Sequence, residues 1–345
     1  MTKTDMVGQT DVVVVGAGPV GLFAVFECGM VKLRCHVVDA LDGVGGQCQA
    51  LYPEKPIFDI PGHPRILAAD LIERLTEQAA PFEPVYHLGR QMVGCAKDGE
   101  GWRCTLSDGT EIRARVVIIA AGCGAFGPNR PPLDGIEAFE GQGSGKGVNY
   151  FVTRREDYRG KKVVIAGGGD SAVDWAISLS EVADRVMVVH RRPKFRAAPE
   201  SEARLKALSD AGAIELVVPY QLHGLEGDAG RLAAVTVATL DGETRRLEAD
   251  VLLPFFGLAM NLGPIAEWGL GMDRSQIAVD PATMATSAPG IFAAGDICTY
   301  PGKLKLILSG FAEAARAAHS AHDAAHPGEA LHFEYSTTSG VPGGK

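Results

Sequence analysis

Two segments of the same design, "DVVVVGAGPVGLFAVF" from Asp11 and "KKVVIAGGGDSAVDWA" from Lys161, constrain this chain more than anything else in it. Each is an apolar strand that runs into a glycine-rich turn and then a helix, the form of a dinucleotide site. In the first, Gly16 permits the tight turn and Gly18 lets a pyrophosphate approach the backbone around Pro19. Gly21 lets the helix pack closely on the strand, with phosphates at the helix's positive end. The next strand, "RCHVVD", ends in Asp39, 23 residues after Gly16. A carboxylate at that offset meets a ribose 2′-hydroxyl.

The second turn, Gly167, Gly168, Gly169, Asp170, Ser171 and Ala172, is a GxGxxA variant, and its next strand ends at His190, again 23 residues on. The loop after that strand is basic: "RRPKFR" supplies Arg191, Arg192, Lys194 and Arg196. A ribose with a free 2′-hydroxyl wants a carboxylate, whereas a 2′-phosphate repels one and wants guanidinium forks. The second site is therefore expected to take NADP(H), and the first a dinucleotide without that phosphate, FAD or NAD.

A chain of 345 residues suggests two domains. Its net charge of −9 argues against a nucleic-acid partner. "MTKTDMVGQT" lacks the apolar core of a secretory signal, and "VLLPFFGLAM" is too short, and broken by Pro254, to span a membrane. A cytoplasmic protein is expected. The seven cysteines are scattered, with 28 and 35 the nearest pair, so neither a CxxC redox pair nor a zinc knuckle can be drawn. His319, His322 and His326 share one face of an alanine-rich helix, but with little beyond Asp323 to support them no metal site is expected.

With both turns placed, the chain resembles the two-dinucleotide-domain flavoprotein reductases of the thioredoxin-reductase-like branch. "SAPGIFAAGDI" is similar to the second FAD segment of that superfamily, in which the Asp, here Asp296, binds the flavin's ribityl chain. The resemblance implies two Rossmann-like dinucleotide-binding α/β domains, the NADP domain inserted into a discontinuous FAD domain. The expected division is 1–122 and 254–345 for FAD and 123–253 for NADP, with crossings at "VVIIAAGCGAF" and "VLLPFFG". Thioredoxin reductases carry CxxC before the second turn, where this chain has "GVNYFVTRREDYRGKK". Glutathione-reductase-like enzymes carry two cysteines five apart, where this chain keeps Cys48 but has Pro53. Thiol–disulfide transfer needs a pair or a resolving thiol.

The stretches "GGQCQALYPEKPIFDIPG", "HRRPKFRA" and "AAGDICTYPGKLKLILSGFAEAARA" resemble instead the thioredoxin-reductase-like ferredoxin–NADP(+) reductases. That resemblance implies FAD contacts at Asp39, Gln47, Tyr52 and Asp296, lesser ones at Val93 and Phe126, and Thr337 in the tail. It also implies a homodimer in which Tyr335 stacks on the partner's flavin. Hydride would pass directly from NADPH to FAD, without a catalytic acid, base or nucleophile. The acceptor would be ferredoxin, with flavodoxin served by the same chemistry, and Lys303 and Lys305 are docking candidates. The alternatives are a peroxidase or disulfide reductase using Cys48 alone, or a non-catalytic FAD-binding redox sensor.

Overall fold

The computed structural model describes residues 6–141, 146–228, 230–329 and 340, without the side chains of 6, 7, 125, 126 and 258–260. Tyr335, Thr337 and the side chain of Phe126 lie outside the described residues. The chain divides into two compact units: Met1–Phe126 with Met260–Lys345, and Gly127–Ala259.

The first unit is built on a sheet in the order Val85–His87, Cys35–Val38, Met6–Val15, Glu111–Ile119, Gly101–Leu106, Met92–Asp98. The first four strands run parallel, with Val12 opposite Cys35 on one side and Val116 on the other. A parallel strand covered on both faces needs an unbroken apolar run rather than an alternating one. "VVVV" at 12–15 is such a run, and all four valines are buried. Glu111–Ile119 has two neighbours on its other edge. Its first half pairs antiparallel with Gly101–Leu106, and its second half pairs parallel with Ile291–Ala293. That short strand brings the late sequence back to the unit begun at the N-terminus. The helix Ile307–Ala325 lays Ala314, Ala317, Ala318 and Ala321, all fully buried, into the core shared with Pro19–Met30. Alanine at this 3- and 4-residue spacing gives a narrow apolar face that lets helices come close.

The second unit repeats the plan with a four-stranded parallel sheet: Ile214–Val217, Arg185–Val189, Lys162–Ala166, Val251–Pro254. A three-stranded antiparallel meander, Gln221–Asp228, Arg231–Ala238 and Thr244–Glu248, is attached to it in sequence before the last of these strands. The chain passes between the units at Phe126/Gly127 and Ala259/Met260, four and six residues beyond the divisions expected at 122 and 253. Both passages lie inside short strands, Ala125–Pro128 and Leu258–Asn261, which pair with each other. In the sequence, glycine and alanine runs suggest breaks at the strand ends just before them.

Candidate functional site

The carboxyl ends of the parallel strands in the first unit open into a cavity of about 430 Å³. Sites of this size, at this end of a doubly wound sheet, bind nucleotides and cofactors. Gly16, Gly18, Pro19, Asp39, Gln47, Tyr52 and Asp296 all line it, together with Ala120, Ala121 and Gly122. The three glycines of the turn have separate physical tasks. A Cβ on Gly16 would lie 2.4 Å from the Ala120 carbonyl oxygen, and one on Gly21 would lie 1.9 Å from that of Gly16. Both are required by backbone approaching backbone. A Cβ on Gly18 would meet nothing within 4 Å, so its small size serves the cavity and not the packing. Pro19 begins the helix at a position that needs no N–H partner.

Asp39 is fixed before any ligand arrives: Oδ2 accepts from the Ala17 N–H at 2.6 Å and Oδ1 from the Leu41 N–H at 2.8 Å. Burial pushes its pKa up, and these two donors pull it back in part. Cys48 is 2% exposed, and its Sγ donates to Tyr52 Oη at 3.8 Å. Burial raises the thiol to about 11, so at neutral pH it is protonated and a poor nucleophile. All seven cysteines are free. Cys48→Ser should therefore retain flavin and at least about half of wild-type turnover with a one-electron acceptor, because a protonated buried thiol carries no redox step. Loss of turnover on that substitution, measured by NADPH oxidation, would restore the thiol to the mechanism.

Some residues stand elsewhere than expected. Val93 is 40% exposed, and Met92 lines the cavity in its stead. Successive side chains on a strand face opposite ways, so an offset of one residue moves the contact off the site. Lys303, expected as a docking charge, is buried in an ion pair with Glu313, which leaves Lys305 exposed on the cavity's rim. The rings of His322 and His326 lie tilted against each other at the end of their helix with centroids 5.3 Å apart, and Arg115 Nη1 donates to the Ala325 carbonyl at 2.6 Å. Arg90 is a residue that the sequence does not single out. It lines the cavity, its N–H donates to the Asp39 carbonyl at 3.0 Å, and its Nε pairs with Asp108 at 2.9 Å. The signal for it, a lone Arg in "LGRQM" ahead of an ordinary strand, has no fixed spacing from either turn.

In the second unit a Cβ on Gly168 would meet the His190 ring at 2.2 Å, while Gly169 has only the Arg196 carbonyl at 4.0 Å. Ala172 is fully buried against the turn. The basic loop folds back onto the glycines: the Arg196 N–H donates to the Gly168 carbonyl at 2.6 Å, and the Ala198 N–H donates to Asp170 Oδ1 at 2.9 Å. Asp170 thus ties the loop to the helix start. Arg191, Arg192 and Arg196 are exposed and form no ion pair among the described residues. Burial lowers the His190 pKa, and these three guanidiniums lower it further.

The family of pyridine nucleotide–disulphide oxidoreductases matches residues 10–325, nearly the whole chain. The chain belongs to that family. A ferredoxin–NADP reductase of Paramagnetospirillum magneticum is 76% identical over 97% of this chain and 99% of its own length. One of Rhodospirillum rubrum is 66% identical over 97% of each. Among solved structures, the thioredoxin reductase of T. acidophilum superposes with a TM-score of 0.79 and 26% identity over 91% of this chain and 98% of that one. Within this oxidoreductase family the two α/β units account for the two glycine turns. The cavity of the first unit fits FAD on its own geometry: an open approach at Gly18, a fixed acceptor at Asp39, an aromatic ring at Tyr52 and a carboxylate at Asp296.

Proposed function

We propose that this chain moves electrons between NADP(H) and ferredoxin through FAD held in the first unit. The observation that carries the reading is the end-to-end match to ferredoxin–NADP reductases at 76% and 66% identity. It is supported by two nucleotide turns that differ in the charge of their second strand. Buried Cys48, with Pro53 where a second thiol would stand, argues against a disulfide acceptor or peroxide.

Bound FAD supplies a centre that takes two electrons as a hydride and returns them one at a time. The protein's part is to bind and orient. Gly18 and the N–H groups opening the helix Pro19–Met30 hold the pyrophosphate, and Asp39 accepts from a ribose hydroxyl. Gln47 and Tyr52 adjoin the isoalloxazine, and Asp296 accepts from the ribityl chain. In the second unit Gly167, Gly169, Ser171 and Ala172 form the NADP turn, Asp170 braces it, and Arg191, Arg192 and Arg196 bind the 2′-phosphate. Lys305 contributes to docking an acidic acceptor, ferredoxin or flavodoxin. The chain acts as a cytoplasmic homodimer whose tail brings Tyr335 and Thr337 to the partner's flavin. Among the described residues no helix is long and apolar enough to cross a membrane.

The test is NADPH oxidation with ferredoxin, flavodoxin, thioredoxin and hydrogen peroxide offered in turn. Ferredoxin or flavodoxin should give the highest kcat/KM. Fastest turnover with thioredoxin or peroxide, or no reduction of the flavin by NADPH, would overturn the reading.

A further inference from the structure

Glu313 is 0% exposed, on a helix whose other buried residues are alanines, Gly310 and His322. A carboxylate taken out of water is unfavourable unless every oxygen is matched, and an apolar residue of similar size would cost less. The partners of Glu313 explain why it is there. Oε2 accepts from the Gly295 N–H at 2.7 Å, and Oε1 accepts from Tyr300 Oη at 2.6 Å and pairs with Lys303 Nζ. Cys298 Sγ lies 3.7 Å from Oε2. All four belong to the stretch that begins with the Gly295–Asp296 turn.

That turn is clamped from its other side as well. Gln276 Nε2 donates to the carbonyls of Asp296 at 2.8 Å and Cys298 at 3.1 Å. Gly295 sits at φ +81°, and one helical turn before Glu313 a Cβ on Gly310 would come within 2.4 Å of Val20 Cγ2 and 3.5 Å of Gly295 Cα. The helix thus rests directly on the turn. Asp296 itself lines the cavity, and its carboxylate makes no hydrogen bond or ion pair among the described residues. The charges of Lys303 and Lys305 both act on Asp296, and of the two Lys303 is bound to Glu313.

We propose that Glu313 is the positioning residue for Asp296: its carboxylate holds the Gly295 N–H, and by retaining Lys303 it keeps Asp296 free for the flavin's ribityl hydroxyls. Gln276 holds the same turn from the carbonyl side. The inference rests on FAD filling the cavity, so the flavin content of the wild type is measured first. A flavin-free wild type overturns both readings, whereas the variant comparisons overturn this one alone.

The experiment tracks FAD release from the purified holoenzyme by flavin fluorescence, beside its visible spectrum and thermal unfolding. In Glu313→Gln the amide oxygen still accepts from Gly295, but Lys303 loses its counter-ion and turns to Asp296. FAD release should quicken about tenfold, the scale of one hydrogen bond to a charged group. Adding Lys303→Met removes the competing charge and should return release to within about threefold of wild type. A purely structural role gives no such rescue, because the second substitution removes a further partner from the cluster. Gln276→Leu changes no charge and should quicken release about fivefold by loosening the other clamp; it serves equally if the Glu313 variants fail to fold. Release in Glu313→Gln equal to wild type, a double variant no slower than the single one, or unchanged release in Gln276→Leu would each overturn the proposal.

Discussion

Replacing Arg191 and Arg192 together by alanine should lower kcat/KM for NADPH about a hundredfold and leave that for NADH within about twofold. The two guanidiniums are exposed and form no ion pair among the described residues, so their removal breaks no internal contact. The loop that carries them keeps its place through backbone and carboxylate bonds that the substitutions do not touch, from Arg196 to Gly168 and from Ala198 to Asp170. What is lost is the pairing with a 2′-phosphate, at about 1.5–3 kcal/mol for each charge-assisted contact. Two contacts at the lower figure give roughly a hundredfold, since each 1.4 kcal/mol is tenfold. NADH carries no such phosphate and has nothing to lose. Flavin content should not change, because the loop belongs to the second unit. Steady-state kinetics with both nucleotides decide the matter: an equal fall for NADPH and NADH would mean that the loop only braces the turn.

The parts of this molecule that were legible in the sequence are those where a backbone requirement restricts residue type. Gly16 and Gly21 must be glycine because a carbonyl oxygen occupies the place of a side chain. "VVVV" must be apolar because the strand is covered on both faces. Such constraints leave a pattern within about 25 residues, and both turns with their following strands fall inside that range. The contacts that were not legible are made between distant elements or depend on a single residue of register. Met92 rather than Val93 lines the cavity, a difference that strand alternation makes decisive. Glu313, within "GFAEAARAA", has the spacing of an ordinary polar position on an amphipathic helix. The burial of Glu313 and the packing of Gly310 against Val20 show that this face points inward, where Lys303 pairs with the carboxylate. Asp170 opens a helix and reads as part of a nucleotide turn, while its carboxylate is taken up by the Ala198 N–H. Charge in the sequence thus marks where a ligand could be held, but folding has already taken some of those charges for itself.

Gly18→Val should fold normally and purify with less than a tenth of the wild-type FAD, whereas Gly16→Ala and Gly21→Ala should compromise the fold itself. The contrast comes from where each new carbon would stand. At Gly16 and Gly21 it would lie 2.4 and 1.9 Å from backbone carbonyl oxygens, so the strand, the turn or the helix must move. Overpacking of this kind costs about 1–3 kcal/mol or more, and backbone has no side-chain freedom with which to relieve it. Gly18 differs on both counts. Its φ of −71° and ψ of −178° suit any residue, and the space beside it is open. Valine there extends into the cavity, over the helix-opening N–H groups that a pyrophosphate would use. Thermal unfolding of the flavin-free protein should therefore stay within a few degrees of wild type for Gly18→Val and fall well below it for Gly16→Ala and Gly21→Ala. FAD affinity in Gly18→Val, titrated by flavin fluorescence, should drop by at least a hundredfold, about 2.7 kcal/mol. The open space is reserved for the ligand, so blocking it removes binding without touching the fold. A fully yellow Gly18→Val protein with wild-type affinity would show that the phosphates do not cross this residue.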